Sequence, residues 1–357
     1  MSAFPASAPS AEPLPEGAIL WVRGLNWLGD SVMALPALAA FKRARPDVRL
    51  ILGCRASLGP FWALCPCVDA VQPLPPGFAG DFRAAAELRR LAPARAVALP
   101  NSFRSAWVPF LAGVPQRLGF PGRLRRFLLT RAVHPLSYSG SLHQSLDYFA
   151  LFGVEPPAVP PLLDGILRVP EESLAGMRER LRQAAAGRPG FPAHGPWLTV
   201  APGAARGASK RWPAGHFAAA AAAAVRATGC GVIVCGMADD RPAAEAIRAA
   251  APEAVVDLTG GTDLAGLAAL FKLSRAVLCN DSGSMHLAAA AGAPVAAVFG
   301  LTDPGRTGPL GQGHIILRPA GVEGNAAIAR ESAAAAAALA SIPPGAAAEA
   351  VVRLLTA

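Results

Sequence analysis

Apolar residues along the chain fall into short uninterrupted runs, separated by longer stretches with a helical period. Ala18 to Val22 (AILWV) predicts a buried strand, because a parallel strand covered on both faces shows a continuous apolar run and not an alternation. The loop RGLNWLGD follows, and then a helix predicted from about Ser31 to Arg45. Arg49–Gly53 and Ala94–Pro100 repeat the strand pattern, with the amphipathic stretch Phe82–Leu91 between them. The second half restarts the alternation. Trp197–Ala201, Gly231–Cys235, Ala276–Cys279 and Val295–Phe299 read as strands, Trp212–Ala227 as a helix, and His286–Ala291 as part of one. The alanine-dense tail, Ala333–Ala340 and Ala346–Leu355, reads as helical.

This alternation predicts an α/β chain of parallel sheets with helices on both faces, and ligands at the carboxyl ends of the strands. A length of 357 residues exceeds what one core usually holds, so two domains are expected. The proline-crowded stretch VEPPAVPPLLDGILRVP, residues 154–170, carries no helical period and is the expected linker. The boundaries drawn are a disordered leader over residues 1–16, an N-terminal domain over 17–165 and a C-terminal domain over 166–357. The cleft between two such domains is the default place for a site. The first sixteen residues lack the basic start and apolar core of a signal peptide, and no apolar stretch reaches the ~20 residues of a spanning helix. A cytoplasmic protein is expected.

Composition adds three constraints. The six cysteines are scattered, and Cys65-Pro-Cys67 has no second pair to complete a zinc site; buried reduced thiols are expected. The six histidines show no metal-ligand spacing, and no metal or cofactor is expected. A formal charge of +9 calls for anionic partners, which nucleic acid, a phosphorylated substrate or an acidic membrane surface could each supply.

Three loops at strand ends carry candidate chemistry. Gly29-Asp30 opens a helix, where an aspartate caps free N–H groups, or where a carboxylate could take a hydroxyl proton as general base. Pro202-Gly203-Ala204-Ala205, followed by Ser209-Lys210-Arg211-Trp212-Pro213, is a glycine-containing turn with two cations before a helix. Backbone amides, Lys210 and a helix N-terminus would cradle a diphosphate; a solvated charge pair fits the same residues. Lys210 is one of only three lysines, with Lys42 and Lys272. Asn280-Asp281-Ser282-Gly283-Ser284-Met285-His286 leaves a strand through small residues and enters a helix, so the amides of Ser282, Gly283 and Ser284 would face an anion. His286 could donate to a phosphate or brace the loop. No Walker A loop, Gly-x-Gly-x-x-Gly or nucleophile elbow occurs at a strand-to-helix junction, which argues against P-loop and hydride chemistry.

In this order and spacing the loops resemble the ADP-heptose:lipopolysaccharide heptosyltransferase family, over roughly residues 18 to 318. WLGDSVMALPAL is similar to the family's N-terminal loop and helix, PGAARGASKRWP to its phosphate-side loop, and NDSGSMHLAAAAGAPVAAVFGLTDP to its donor-binding segment. RLGFPGRLRRFLLTRAVHP and HQSLDYFALFG look like its acceptor side. The resemblance implies the GT-B architecture, two Rossmann-like domains whose parallel sheets face a shared cleft, and inverting transfer of heptose from ADP-heptose to the lipopolysaccharide inner core.

Carried over by residue, it makes Asp30 the catalytic base and Lys210 the cation on the diphosphate. It places Asp281 near the donor sugar, with Ser282, Gly283, Ser284 and His286 around the phosphates beside Gly203 and Ala204. Asp240 falls where an acidic residue accepts from ribose hydroxyls, with Asp239 adjacent. Arg117, Arg123, Arg125, Arg126 and Arg131 form the densest cationic stretch of the first half. The resemblance directs Arg123, Arg125 and Arg126 at a lipid A–core acceptor and implies peripheral contact with the cytoplasmic face of the inner membrane; a solvated face is the alternative. One departure is the stretch from Gly321 to Gly345, which lacks the cysteines of heptosyltransferase II-like members and leaves subfamily and acceptor open. Two other readings stay open. A nucleotide-sugar epimerase of similar fold would act without an acceptor, and a non-catalytic nucleic-acid binder would use the arginines, although these are dispersed and no recognition motif is present.

Overall fold

The computed structural model describes residues 13–122, 124–136, 142–158, 166–205, 207–321 and 331–357. Cα proximity divides the chain into two units, one of residues 1–26 with 34–159 and the other of 27–33 with 160–357. Residues 159–165 in the expected linker and 1–12 of the expected leader lie outside the described residues, whereas Leu14 is buried.

In the first unit β1 (Ile19–Arg23), β2 (Arg49–Cys54), β3 (Ala70–Pro73), β4 (Arg95–Ala98), β5 (Gln116–Gly119) and β6 (Arg131–Ala132) form one sheet. Its order is β3-β2-β1-β4-β5-β6, and every pairing is parallel. The helices between the strands are α1 (Leu28–Ala44), of which only residues 34–44 group with this unit, α2 (Gly59–Ala63), α3 (Gly77–Leu91) and α4 (Phe103–Leu111); α5 (Asp147–Phe152) follows the sheet. Leu20, Trp21 and Val22 on central β1 are buried, as an unbroken apolar run requires, and the Trp21 indole N–H is satisfied by Gln72 Oε1 at 2.8 Å. Burial of each such Val- or Leu-sized side chain contributes about 1.5–3 kcal/mol.

The second unit opens with α6 (Glu171–Ala185) and continues through β7 (Trp197–Ala201), α7 (Ala214–Thr228), β8 (Gly231–Val234), α8 (Arg241–Ala250), β9 (Val255–Asp257), α9 (Leu264–Leu273), β10 (Ala276–Asn280), α10 (Gly283–Ala290), β11 (Val295–Val298), α11 (Pro304–Thr307), β12 (Ile315–Leu317), α12 (Ala333–Ala340) and α13 (Pro344–Thr356). Its sheet runs β12-β11-β10-β7-β8-β9, again all parallel. Read from β9, this is the same doubly wound order as the first unit. The strand order therefore reverses direction at β1/β4 in one unit and at β7/β10 in the other, where such sheets open a crevice at their carboxyl ends. Ala220, Ala221 and Ala224 on α7 are buried in one core cluster with Ile247 of α8 and Val351 and Leu354 of α13, so much of the chain's alanine forms a close helix-packing face.

Several boundaries differ from the sequence expectation. The helix expected from Ser31 begins at Leu28, because the Ser31 amide already bonds to the Trp27 carbonyl at 3.0 Å. Asp30 is thus inside the first turn, not its cap. The helix expected from Trp212 begins at Ala214: Pro213 precedes it, and a residue before proline is pushed out of the α region. Strands β3, β5, β6, β9 and β12 are two to four residues long and carry no signal separable from a loop. All six cysteines are buried and unbridged, and burial pushes the Cys235 thiol up to about 12. Among the described residues no single helix is long and apolar enough to cross a membrane. Only α12 and α13 together meet that length and composition, across a 61° bend, and the apolar face of α13 belongs to the core.

Candidate functional site

The switch point of the second unit is held by a residue that heads the third loop but to which the sequence assigned no role. Asn280, the last residue of β10, is fully buried. Its Oδ1 accepts from the Trp212 amide at 3.0 Å and its Nδ2 donates to the Pro202 carbonyl at 2.7 Å. Both ends of the loop leaving β7 are therefore tied to the end of the neighbouring strand. The Trp212 amide, which would lack an intrahelical acceptor this close to α7, is satisfied by the clamp.

The clamp brings two expected residues together. Lys210 ends a short 3₁₀ turn, Ala208–Lys210, and its Nζ lies 2.5 Å from Asp281 Oδ2. The same oxygen accepts from the Thr302 hydroxyl at 2.6 Å, and the Asp281 amide extends the sheet through a 3.0 Å bond to the Val298 carbonyl. A lysine ammonium has three donors, so two remain for a ligand. Asp281 holds the ammonium while shielding its charge, and Thr302 fixes the carboxylate rotamer. The signal for Thr302 was its place in the strand-end turn G-L-T-D-P; nothing in the sequence tied it to Asp281.

Beyond Asp281 the chain enters α10. Ser282 is extended and stands at the N-cap position, but its hydroxyl caps no amide and its buried Oγ has no hydrogen-bond partner. Gly283 and Ser284 supply first-turn amides, which have no acceptor within a helix. An orphaned buried hydroxyl, first-turn amides and an anchored ammonium form a site for an anion with several oxygens. His286 is buried one turn into the helix. Residues Trp27–Met33 belong to this unit, and a Cβ on Gly29 would come within 2.8 Å of His286 Cδ2, so only glycine permits this approach. Half-buried Asp30 is the next residue.

Asp240 ends a second 3₁₀ turn, Ala238–Asp240, and is buried, whereas adjacent Asp239 is exposed. Asp240 Oδ2 accepts from the Met237 amide at 2.9 Å, and Oδ1 lies 4.0 Å from the Arg211 guanidinium. A Cβ on Gly203 would fall 2.2 Å from Asp240 Oδ2, so any larger residue would push that carboxylate aside. Arg211 also donates from Nε to the Ala204 carbonyl at 3.2 Å. Asp240 and Arg211 thereby brace the Gly203–Ala204 turn from below. No cluster of three or more His, Cys, Asp or Glu side chains suited to a metal ion occurs among the described residues.

A sequence model described as glycosyltransferase family 9 (heptosyltransferase) matches residues 82–333. The chain belongs to this family. The match takes in both loops of the second unit and begins downstream of Asp30. The chain is 31% identical over 311 residues to lipooligosaccharide heptosyltransferase 2 of Haemophilus influenzae, covering 83% of this chain and 87% of that one. It is 30% identical over 312 residues to lipopolysaccharide heptosyltransferase 2 of Escherichia coli K12, with the same coverages. The solved structure of E. coli ADP-heptose lps heptosyltransferase II superposes with a TM-score of 0.80 at 28% identity, over 94% of this chain and 98% of that chain. The family 9 chain is thus a glycosyltransferase with two Rossmann-like sheets of the GT-B class.

Its expected acceptor-side arginines do not form one surface. Arg125 is wholly buried, its Nη1 donating to the Pro100 carbonyl at 2.6 Å, with Nε and Nη2 left without acceptors. Burial without a carboxylate pushes it down to about 10. Arg117 is half-buried, bonded through Nε to the Leu128 carbonyl at 2.7 Å, its guanidinium 5.5 Å from the Phe110 ring centroid. Arg126 is exposed, Arg131 is half-buried, and Arg123 lies outside the described residues. Arg125, expected at the acceptor with a solvated face as the alternative, is turned inward and is corrected on both readings, because a run of arginines in sequence says nothing of which one is buried.

Proposed function

We propose that this family 9 transferase moves heptose from ADP-heptose to the inner core of a lipopolysaccharide acceptor, with inversion at the anomeric carbon. The observation that carries the donor assignment is the Lys210–Asp281–Thr302 cluster beside the unpartnered Ser282 hydroxyl, at the β7/β10 switch point. The two remaining Lys210 donors and the amides of Ser282, Gly283 and Ser284 would hold the diphosphate. Gly203 and Ala204 would let its backbone approach, and His286 would support the loop behind it. Asp281 would lie at the sugar end, and Asp240, with exposed Asp239 beside it, would bound the nucleoside side.

In the reaction Asp30 accepts the proton of the acceptor hydroxyl as its oxygen attacks the anomeric carbon. The bond from that carbon to the diphosphate breaks, and its electron pair leaves with ADP. The leaving oxygen gains negative charge, which donors already fixed by Asn280 and Asp281 stabilise without reorganising. Exposed Arg126 and neighbouring Arg123 would meet the acceptor's phosphates and carboxylates. The enzyme works at the cytoplasmic face of the inner membrane, where such an acceptor is anchored. The reading is supported by the named relatives and the donor-loop geometry. Incubation with ADP-heptose and truncated core acceptors should add one heptose to the acceptor mass. Turnover of the donor sugar without acceptor, and no acceptor product, would contradict it.

A further inference from the structure

The first unit exposes an unusual amount of large apolar surface for a chain this basic. Phe78 is 68% exposed, Leu124 74% and Phe127 81%, with Phe82, Phe103 and Phe110 also exposed. These side chains are not scattered. Phe78 and Phe82 touch edge-on at 5.1 Å on α3, and Phe103, Trp107 and Phe110 stack along α4 at 5.7 and 5.9 Å. Arg104 joins the two helices through a 2.8 Å pair with Asp81 and a 2.7 Å bond to the Gly77 carbonyl. Trp107 packs against Ala106, Leu128 and Leu129, which sets the turn bearing Leu124 and Phe127 beside α4. Leu124 holds a left-handed backbone, φ +61°, a conformation that costs a leucine energy, and its side chain is exposed.

Charge accompanies this surface. Residues 77–136 carry ten arginines and two carboxylates, and of the two, Asp81 is already paired with Arg104. Arg95 and Arg125 are buried, but Arg83, Arg104 and Arg126, on the same α3, α4 and 124–128 segments as the aromatic side chains, are exposed. Phe78 and Phe103 lie in the first turns of α3 and α4, the helices that follow β3 and β4, and so at the carboxyl edge of the sheet where an acceptor has to arrive. Aromatic rings among guanidiniums suit a bilayer interface with anionic headgroups: the rings enter the acyl boundary while the cations remain with the phosphates.

We propose that the surface formed by α3, α4 and the turn at Leu124–Leu128 seats on an anionic phospholipid bilayer, with Phe78, Leu124 and Phe127 inserted at the headgroup level. This identifies the face used in the membrane contact of the function proposed above, and it rests on that reading only for the acceptor's location. The test uses the full chain and co-sedimentation with phosphatidylglycerol–phosphatidylethanolamine vesicles against phosphatidylcholine vesicles. The wild type should partition at least tenfold better onto the anionic vesicles, less so in high salt. The triple variant Phe78→Ser, Leu124→Asn, Phe127→Ser should lose at least tenfold of that partition and keep transfer to a deacylated acceptor. Phe127→Ser alone, a substitution of a solvated side chain, gives the same comparison if the triple variant lacks a cooperative thermal transition. Equal partition of variant and wild type, or no preference for anionic vesicles, overturns the proposal. So does a wild-type dimer in sedimentation that the variant loses, since the occupant would then be a second copy of the chain. Transfer to the deacylated acceptor is scored apart: its absence in the wild type contradicts the transferase reading and leaves the vesicle comparison intact.

Discussion

The two units share a strand order but treat positive charge in opposite ways. At the β7/β10 switch point of the second, both cations face carboxylates: Lys210 is locked to Asp281, which Thr302 fixes, Arg211 lies 4.0 Å from Asp240, and the loop that bears them is clamped twice by Asn280. At the β1/β4 switch point of the first, Arg23 bonds to Asn26 Oδ1 at 3.0 Å and Arg125 to a carbonyl, and burial pushes both down to about 10. A compensated lysine gives a fixed donor array with little net field, suited to a diphosphate that must bind and then leave. Desolvated arginines with carbonyl partners leave an excess of positive charge, suited to attracting a polyanionic acceptor. On the proposed reading, the same architecture would divide donor and acceptor chemistry by how each half balances its cations.

The largest effect should come at Asp30, which groups with the second unit although its helix α1 continues into the first. Asp30→Asn should lower turnover by about 10²- to 10⁴-fold, the usual scale of general-base loss. Because Asp30 sits in the first turn and not at the cap, asparagine also forfeits a favourable charge–dipole contact of about 0.3–1 kcal/mol. Steady-state kinetics with thermal denaturation checks both; near-normal turnover in a folded variant leaves Asp30 a helix-dipole residue only.

Next in size is Asp281→Asn. It removes the carboxylate that receives both Lys210 and Thr302, so a loss of about 1.5–3 kcal/mol in stability is expected from denaturant unfolding, together with weaker donor use. Thr302→Val deletes one hydrogen bond and preserves shape, so about 1 kcal/mol, or roughly fivefold in donor affinity, is expected. If Thr302→Val proves as damaging as Asp281→Asn, the hydroxyl does more than orient the carboxylate, and the ranking within the second unit is wrong.

Much of this division was legible in the chain and some was not, for physical reasons. Buried parallel strands such as Val295–Val298 announce themselves by continuous apolar runs, and glycine-bearing strand ends mark the loops, so Lys210, Asp281 and Ser282 stood out. Short edge strands such as Arg131–Ala132 pair in the sheet without an apolar pattern of their own. The choice between Asp239 and Asp240 needed the contact with Gly203, which no spacing encodes. Arg125 reads in sequence as one more surface arginine, and only the fold turns it inward. Asn280 is similarly silent, since its role lies in joining two backbone groups ten residues apart on another strand's loop.

The division of labour is tested most directly by calorimetric titration of ADP into the full chain, comparing Lys210→Ala with Asp30→Asn. The account predicts that Lys210→Ala weakens ADP at least tenfold, since a charge-assisted contact of about 1.5–3 kcal/mol is lost, while Asp30→Asn binds ADP as the wild type does. Unchanged ADP affinity in a folded Lys210→Ala protein, or an equal loss in Asp30→Asn, would contradict it.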